Sequence, residues 1–223
     1  MSKLIGMMGL KGSGKDSVAK KIIYAEGGAW KKVAFADALK DAVAALFGWN
    51  RQLLEGDTPE GREWREKVDS YWERELGIKD FSPRKALQMI GTNVMRNHFD
   101  EAFWIKALKR KILDSTNHII VTDVRFPNEA QMIKSMGGNI VQVIRGELPE
   151  WWDDIAEMNK NHRPCIDSND NYGWIDKEGK VWSIHPSECS LAGIIEPDYV
   201  IHNDGTLDEL HEKVDEMIKS LYD

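Results

Sequence analysis

The chain has few of the features that mark secreted or membrane proteins. Only two of its 223 residues are cysteines, Cys165 and Cys189. A disulfide framework is therefore not expected, and a reducing cytoplasm is the simpler assumption. No apolar stretch approaches the ~20 residues that span a bilayer, and we expect no signal peptide because the first residues lack its long apolar region and cleavage site. These absences predict a cytoplasmic protein without a membrane partner.

Basic residues are also fewer than acidic ones, with 30 Lys and Arg against 37 Asp and Glu. The formal net charge is -7 at pH 7, which argues against a surface for polymeric nucleic acid but leaves room for a local basic pocket. Internal repeats and low-complexity segments are missing too. With 42% hydrophobic and 30% charged residues, the composition is that of a globular chain, long enough for one α/β domain with an inserted segment.

Short apolar runs alternate with segments of helical periodicity. Five runs predict strands: Lys3–Gly9, Trp30–Ala36, His118–Phe126, Asn139–Gly146 and Asp198–Gly205. Between them, Asp37 is predicted to cap a helix that ends at Gly48, and Ser82 with Pro83 to begin another. Thr206 and Glu209 have the spacing of a capping box. The alternation predicts an α/β fold with a central parallel sheet and right-handed crossovers.

Two stretches interrupt this alternation. Residues 50–80 are strongly charged, and we predict one amphipathic helix in their second half. Residues 147–183 are polar and contain four tryptophans: Trp151, Trp152, Trp174 and Trp182. The D-K-E-G turn there predicts a hairpin. We expect the tryptophans to fold this insertion against itself or to form a subunit contact, which would be consistent with a homodimer.

A glycine-rich loop follows the first predicted strand. Gly9–Lys15 reads G-L-K-G-S-G-K, which fits the phosphate-binding pattern G-x-x-x-x-G-K between a strand and a helix. Its backbone N–H groups would surround a β-phosphate, and Lys15 would reach the β- and γ-phosphates. The pattern normally continues with Ser or Thr, but Asp16 comes next and a hydroxyl appears only at Ser17. The sequence leaves open which of the two contacts magnesium, and whether Asp16 instead organises a substrate arginine.

Two charged residues follow the strand that reads H-I-I-V. Asp123 and Arg125 lie in V-T-D-V-R-F, and ligands of open parallel sheets bind beyond the carboxyl ends of the strands. The Asp123 carboxylate could hold Mg²⁺ or anchor a substrate. The Arg125 guanidinium suits a phosphate or a transferring phosphoryl group. A structural ion pair between the two side chains is the alternative.

Taken together, these segments resemble the phage-type deoxynucleoside monophosphate kinases of the P-loop nucleotide kinase superfamily. The resemblance covers most of the chain in order: GLKGSGKDS, DALKDA, EGDTPEGRE, RKALQMIGT, FWIKAL, VTDVRFPNE, HPSE and VIHNDGTLDEL. The aspartate after Lys15 is this family's own version of the loop. The resemblance implies a three-layer, P-loop nucleoside-monophosphate-kinase-like domain over residues 1–223, with an acceptor-side helical segment near 50–80 and a lid insertion at 147–190.

The resemblance implies transfer of the ATP γ-phosphoryl group to a deoxynucleoside 5′-monophosphate, with Mg²⁺. ATP would be bound by Lys11, Gly12, Gly14, Lys15, Asp16 and Ser17, and Mg²⁺ by Asp16, Ser17 and Asp123. Lys15, Asp123 and Arg125 would be catalytic. The acceptor would be bound by Lys40, Arg62, Arg84, Gln88, Thr92, Trp104, Asp123, Arg125 and Glu129. Within that set, the cations would contact its phosphate, Gln88 and Thr92 its base or sugar, and Glu129 would orient Arg125. For Trp104, core packing is an equal alternative to a base contact.

The lid insertion carries two further predictions. Arg145 and Arg163 are candidates to swing onto the phosphates as the lid excludes water. His162, Cys165, His185 and Cys189 could hold zinc tetrahedrally. Free thiols in a solvated loop are the alternative to a zinc site.

Two other functions stay open at this point. One is a P-loop kinase of another small acceptor, such as dephospho-coenzyme A or shikimate, against which the acceptor-side arginines weigh. The other is an ATP-binding switch or motor subunit, although little of the chain lies beyond the core and the lid insertion. Phage origin follows from the resemblance alone and would place the protein in the host cytoplasm.

Overall fold

The computed structural model describes residues 2–25, 27–161, 172–175, 179 and 181–222. The strands in these ranges are β1 (Leu4–Met8), β2 (Trp30–Val33), β3 (His118–Val121), β4 (Asn139–Ile144), β5 (Tyr172–Ile175), β6 (Val181–Ile184) and β7 (Tyr199–His202). The helices are α1 (Lys15–Ala25), α2 (Asp37–Phe47), α3 (Arg51–Glu55), α4 (Pro59–Glu66), α5 (Ser70–Leu76), α6 (Pro83–Gln88), α7 (Phe103–Leu113), α8 (Pro127–Ser135), α9 (Trp151–Lys160), α10 (Pro186–Cys189) and α11 (Leu207–Tyr222). A π-helical segment, Met89–Phe99, follows α6 directly.

The chain divides into two compact units. Unit 1 comprises Met1–Ala34 and Ser115–Asp223, and unit 2 is the continuous segment Phe35–Asp114. Unit 1 contains the sheet, and unit 2 is helical.

The sheet of unit 1 has the strand order β2-β3-β1-β4-β7, and every neighbouring pair is parallel. All five strands fall inside the apolar runs that predicted them, so the predicted parallel α/β sheet is confirmed. β1 lies between β3 and β4, and all of its residues are buried. Such continuous burial is typical of a central parallel strand with both faces covered.

Helices cover both faces of this sheet. Ile5 and Met7 of β1 belong to a buried cluster that includes side chains of α1 and α11. Gly6 points to the opposite face, where an added Cβ would lie 2.5 Å from Cδ1 of Ile133 in α8. Because successive side chains of a strand point to opposite faces, the two contacts define three layers. At the start of α11, Glu209 N–H donates to Thr206 Oγ1 at 3.3 Å and Thr206 N–H donates to Glu209 Oε2 at 2.7 Å, which confirms the capping box.

The lid insertion forms its own small core. β5 and β6 pair antiparallel as the predicted hairpin, although its D-K-E-G turn lies outside the described residues. Among the described residues, the buried members of this core are Ile155, Ile184, Cys189 and Ala192. Trp151 and Trp152 of α9 pack against it, as predicted for the tryptophans of this segment.

The helices of unit 2 pack around a second core. Its buried members are Val43, Leu54, Phe81 and Ala86, and aromatic side chains of the surrounding helices pack against them. Residues 50–80 form three short helices: α5 lies in their second half, where one helix was predicted, and α3 and α4 before it were not predicted. Asn50, Thr58 and Asp69 each cap one helix, and Gly56 and Gly77 end two of them with φ near +69° and +66°. Closely spaced caps and glycines stop each helix before a long periodicity can develop.

Two other predicted helix boundaries can be compared with the structure. Gly48 ends α2 with φ of 68°, but the cap position is Ala36, and Asp37 is the first residue inside the helix. The prediction of Asp37 as the cap was therefore wrong. At the start of α6, Ser82 Oγ accepts the N–H of Lys85 at 3.3 Å and Pro83 is the first helical residue, as predicted.

Among the helices of the described residues, none combines the length and apolar character that a transmembrane span requires.

Candidate active site

The loop between β1 and α1 has a backbone that only glycine fits at two positions. Gly9 and Gly14 have φ of 146° and 101°. A Cβ on Gly9 would lie 2.3 Å from the carbonyl oxygen of Val143, and one on Gly14 would lie 2.3 Å from Asn203 Nδ2. The loop is therefore held against the ends of the neighbouring strands.

Asn203 fixes the middle of this loop. Its Nδ2 donates to the Ser13 carbonyl at 2.9 Å, and its backbone N–H donates to the Ile144 carbonyl at 2.7 Å. Ser13 itself is buried. Asn203 follows β7 directly, so the last strand of the sheet supports a loop residue, Ser13, that lies 190 positions earlier in the chain.

Lys15 is folded back into the loop. Its Nζ donates to the carbonyl oxygens of Gly9 at 2.7 Å and Leu10 at 2.8 Å. Burial lowers the pKa of the Lys15 ammonium, and the charge of Arg125 lowers it further, while Glu188 and Asp16 oppose the shift. A phosphate oxygen in the loop would offer this cation a stronger acceptor than two carbonyls.

Asp16 points to a different partner. Lys32, in β2, donates from Nζ to Asp16 Oδ1 at 2.7 Å, and both side chains are exposed. Ser17 lies beside Asp16 in the first turn of α1. The first turn of α1 therefore carries a carboxylate and a hydroxyl at successive positions, and which of the two contacts Mg²⁺ stays a prediction.

Asp123 and Arg125 follow β3 at the same edge of the sheet. Thr122 N–H donates to the Val33 carbonyl at 3.3 Å, and Val124 N–H donates to the Met7 carbonyl at 3.2 Å. These bonds continue the strand pairing beyond Val121. Asp123 and Arg125 therefore lie beyond the carboxyl end of β3, next to the strand that leads into the glycine loop.

The Arg125 guanidinium contacts α10 of the lid insertion. Nη1 donates to Ser187 Oγ at 3.2 Å and to Glu188 Oε1 at 3.4 Å. Glu129, which is buried, accepts the backbone N–H groups of Arg125 at 2.8 Å and Phe126 at 3.1 Å. Glu129 thus fixes the Arg125 backbone, and its predicted role in orienting the guanidinium stays a prediction.

Arg145 lies directly after β4, beside the first half of the glycine loop. The two border a cavity of about 140 Å³, whose lining also includes Glu147, Leu148 and Trp152. The structure therefore brings this predicted lid cation next to the loop. Arg163, the other candidate, lies outside the described residues.

Unit 2 holds the remaining predicted acceptor-binding cations. Lys40 Nζ donates to Glu55 Oε1 at 2.7 Å. Burial raises the pKa of the Glu55 carboxyl, but hydrogen bonds from Lys40 and Arg51 outweigh burial and leave it lowered. Arg84 pairs with Glu66 at 2.9 Å, and Arg62 is exposed on α4. Carboxylates therefore hold Lys40 and Arg84 in place.

Gln88 and Thr92 are exposed about one turn apart, where α6 passes into the π-helical segment. Between them, the carbonyl of Gly91 accepts Trp104 Nε1–H at 2.9 Å. Trp104 is only 6% exposed, so packing accounts for most of its surface. A base contact through its exposed edge stays a prediction.

The proposed zinc site lies only partly within the described residues, since His162 and Cys165 are outside them. His185 Nδ1 accepts the backbone N–H of Ser187 at 3.2 Å and so caps α10. Burial, and then the Glu188 charge, raises the pKa of the Cys189 thiol to about 12. In the part of the chain that the structure covers, no group of three or more His, Cys, Asp or Glu residues is placed to hold a metal. The zinc site stays a prediction.

Sequence reasoning assigned no role to three side chains that the structure places here: Lys32, Asn203 and Glu188. Two of them stand in the quoted segments HPSE and VIHNDGTLDEL. That position was the only available signal, because their partners lie 63 and 190 residues away in the chain. Lys32 carried no signal beyond its place within a predicted strand, Trp30–Ala36.

A parallel sheet whose central strand leads through a glycine-rich loop into a helix, with Lys15 inside that loop, defines a P-loop nucleotide-binding protein. The model of the family "Deoxynucleotide monophosphate kinase" matches residues 63–162. A protein of Acanthamoeba polyphaga mimivirus, named as a candidate deoxynucleotide monophosphate kinase, is 30% identical over 225 residues, which cover 95% of this chain and 93% of the relative. The chain belongs to the deoxynucleotide monophosphate kinase family, as the sequence motifs predicted.

Two phage proteins extend this relationship. The deoxynucleoside-5′-monophosphate kinase of Escherichia phage T5 is 27% identical over 199 residues, 66% of this chain and 80% of the relative. The deoxynucleotide monophosphate kinase of Enterobacteria phage T4 is 29% identical over 145 residues, 63% of this chain and 47% of the relative. The match therefore spans about half the length of the T4 protein.

Solved structures with a similar fold are more distant. Dephospho-CoA kinase from Campylobacter jejuni aligns over 99% of this chain and 97% of its own, with a TM-score of 0.45 and 16% identity. APS kinase of Mycobacterium tuberculosis aligns over 98% of both chains, with a TM-score of 0.41 and 15% identity. Similarity at this level supports no inference about the activity of this chain.

Proposed function

We propose that the protein transfers the γ-phosphoryl group of ATP to a deoxynucleoside 5′-monophosphate, giving ADP and the diphosphate. The observation that carries the proposal is the loop around Lys15, with Arg125 at the same sheet edge, in a chain of this family. The loop supports binding of a nucleoside triphosphate. The acceptor comes from the family, whose T5 and T4 members are named for it.

ATP is bound in this proposal by the loop residues Lys11, Gly12, Gly14, Lys15, Asp16 and Ser17. The positive φ values of Gly9, Gly12 and Gly14 shape the backbone into a phosphate-binding turn. Lys15 exchanges its two carbonyl acceptors for phosphate oxygens when ATP enters.

The oxygen atoms of Asp16, Ser17 and Asp123 would hold Mg²⁺. Carboxylates and a hydroxyl are the hard ligands that this ion prefers, and few protein ligands suffice because the phosphates supply the others. Bound there, Mg²⁺ would neutralise charge on the phosphates. The residues that lie beside the loop and beyond β3 therefore fit the ion.

Catalysis then depends on positioning and charge, because phosphoryl transfer needs little covalent help from the protein. Lys15 and Arg125 stabilise the charge that spreads over the transferring group. Asp123, beside Arg125, anchors Mg²⁺ or the acceptor. Arg145 reaches the phosphates from its place beside the cavity, and Arg163 remains a second candidate for that task.

The acceptor is bound in this proposal by two sets of residues. Four cations are predicted to contact its phosphate: Lys40, Arg62, Arg84 and Arg125. Gln88 and Thr92 donate and accept hydrogen bonds at the base or sugar, and Trp104 contacts the base through its exposed edge. Asp123 and Glu129 complete the set. The Glu55 and Glu66 carboxylates support the proposal because their ion pairs restrict the positions of two of the cations, Lys40 and Arg84.

Two further predictions from the sequence belong to this proposal. The protein acts in the cytoplasm, which is the host's if a phage encodes it, and it forms a homodimer. Gel filtration with light scattering tests the second: a mass near twice the 25.5 kDa of one chain is expected.

The test of the activity is ADP release with Mg–ATP against dGMP, dTMP, dCMP, dAMP and the matching ribonucleotides. We expect turnover with at least one deoxynucleotide. Lys15→Ala should reduce it by about 10²–10³-fold, the usual loss for one donor to developing charge. Lys20→Ala, an exposed lysine on the same helix, is the matched control and should leave turnover unchanged.

A flat panel with ATP still bound would contradict the proposal. That result would favour an ATP-binding switch. Turnover with dephospho-coenzyme A or shikimate instead would favour a P-loop kinase of another small acceptor.

A further inference from the structure

In the part of the chain that the structure describes, the Arg125 guanidinium is held from one side. Both of its side-chain bonds, to Ser187 and Glu188, start from Nη1. A guanidinium carries five N–H donors in a rigid plane. Within the described ranges, the other donors of Arg125 have no protein partner, so they remain available for an anionic ligand.

The element that holds Arg125 is well supported. His185 caps α10 through its Nδ1, and Cys189 anchors the end of this helix in the core of the lid insertion. Asn159 Nδ2 donates to the carbonyl of Cys189 at 3.0 Å. A carboxylate on a helix fixed at both ends has a restricted position, which a residue that aims another side chain requires.

Glu188 also acts electrostatically on Lys15, the cation inside the glycine loop. The Lys15 ammonium feels the repulsion of Arg125 and the attraction of Glu188 and Asp16. One carboxylate therefore offsets the repulsion between the two cations that phosphoryl transfer would use. Of the two cations, only Arg125 is hydrogen-bonded to Glu188 among the described contacts, whereas Lys15 is held by the Gly9 and Leu10 carbonyls.

We infer that Glu188, assisted by Ser187, is a positioning residue of the reaction: it holds one side of the Arg125 guanidinium so that the remaining donors face the transferring phosphoryl group. This inference rests on the proposed function. Nothing in it requires Glu188 to contact either substrate.

If the ion pair between Arg125 and Glu188 were only structural, its loss would affect stability and not turnover. Arg125 and Glu188 are 49% and 33% exposed, and ion pairs at such exposure contribute little to stability. Misalignment of a charged group in a phosphoryl-transfer site lowers the reaction rate strongly, however, because catalysis depends on the position of that group. We therefore expect Glu188→Gln to affect turnover far more than thermal unfolding.

The experiment is a double-mutant cycle between Glu188→Gln and Arg125→Ala, measured with Mg–ATP and the best deoxynucleotide. Glu188→Gln alone should lower kcat about tenfold, with the KM for ATP nearly unchanged. In the Arg125→Ala background the same change should alter kcat by less than about twofold. Glu188→Asp should recover part of the loss, and Glu157→Gln, exposed on α9, is the matched control.

Two kinetic outcomes would overturn the inference. The first is an equal loss in both backgrounds, which would show that Glu188 acts without Arg125. The second is an unchanged kcat with a lower KM for the deoxynucleotide, which would make Glu188 a competitor of phosphate for Arg125. If Glu188→Gln does not fold, Ser187→Ala tests the same coupling, with an expected loss of about threefold.

A readout without turnover separates this inference from the proposed function. The guanidinium ¹⁵N signals of Arg125, assigned with Arg125→Lys, should show slowed exchange of its N–H protons that is lost in Glu188→Gln. Unchanged exchange would overturn the inference even in an active enzyme. A wild-type protein without deoxynucleotide-dependent turnover would overturn the proposed function first, whatever the spectra show.

Discussion

Lys15 and Asp16 are neighbours in the chain, but they have opposite surroundings. Lys15 lies inside the glycine loop with its ammonium on two carbonyl oxygens. Asp16 points outward and pairs with Lys32 on β2. The residue that replaces the usual hydroxyl of this motif is therefore held by a cation that the motif does not contain.

This pair leads to a prediction about magnesium. Lys32→Met removes a positive charge that competes with Mg²⁺ for the Asp16 carboxylate. The Mg²⁺ concentration for half-maximal turnover should fall about two- to fivefold, a small change because an exposed ion pair is weak. A magnesium titration of turnover measures it, with Lys31→Met, an exposed neighbour on β2, as control.

The opposite result has a clear meaning. If Lys32→Met and Lys31→Met give the same magnesium titration as the wild type, Asp16 does not contact the ion. Ser17 and Asp123 would then be the only predicted ligands left, and Asp16 would serve the acceptor or a substrate arginine.

The π-helical segment is the element that shapes the predicted acceptor side of unit 2. Met89–Phe99 is 11 residues long, whereas most π-helices are single-turn bulges. A Cβ on Gly91 would lie 2.6 Å from Leu39 Cδ2, and the Gly91 carbonyl accepts the Trp104 indole. Gly91 therefore faces the interior of unit 2, while Gln88 and Thr92 face outward.

Two substitutions in adjacent residues separate packing from binding in this element. Gly91→Val overpacks the contact with Leu39 and should lower the free energy of unfolding by about 1–3 kcal/mol. Thr92→Val has the same β-branched shape at an exposed position and should change that free energy by less than about 0.5 kcal/mol. Urea denaturation compares the two.

Acceptor binding should respond in the reverse order. Thr92→Val removes a hydrogen bond to the deoxynucleotide in the proposal and should raise its KM about two- to tenfold. An unchanged KM in Thr92→Val, with normal stability, would remove Thr92 from the acceptor site.

The residues of the candidate active site come from distant parts of the sequence. In the strand order β2-β3-β1-β4-β7, the carboxyl ends of parallel strands lie at one edge of the sheet. The segments that leave this edge carry the glycine loop, Asp123 with Arg125, Arg145 and Asn203. These segments are spread over the chain from Gly9 to Asn203, and the sheet brings them to one edge.

Binding of Mg–ATP to the glycine loop should raise the free energy of unfolding of the protein. Mg–ATP at 100 times its dissociation constant should stabilise the native state by about 2.7 kcal/mol, since it binds only the folded loop. For a chain of this size, Tm should then rise by roughly 5–10 °C. Calorimetry with and without Mg–ATP measures the shift, and Lys15→Ala should lose most of it.

The same calorimetric measurement can also show which of the two units binds ATP. If unit 1 and unit 2 unfold in separate transitions, ATP should shift only the transition of unit 1, which contains the loop. A shift confined to unit 2 would contradict the assignment of Gly9–Lys15 as the ATP-binding loop.

Much of the fold could be predicted because its signals are local. The five sheet strands, the capping box at Thr206 and the start of α6 at Ser82 depend on residues within a few positions of each other. Two helices of residues 50–80, α3 and α4, were not predicted, because each is too short to show the apolar periodicity that indicates a helix. At Asp37, a good cap residue became the first helical residue, because Ala36 occupies the cap position.

By itself, the sequence determined the five sheet strands, the glycine loop with its lysine, and the family, because periodicity and contiguous motifs depend on neighbouring residues. Only the tertiary structure decided that Asn203 supports Ser13, that Glu188 holds Arg125, and that Lys32 pairs with Asp16. These contacts join side chains whose separation in the chain carries no periodic signal. They form because burying the apolar faces of strands and helices fixes the sheet order, and the sheet order then sets which polar side chains meet at its edge.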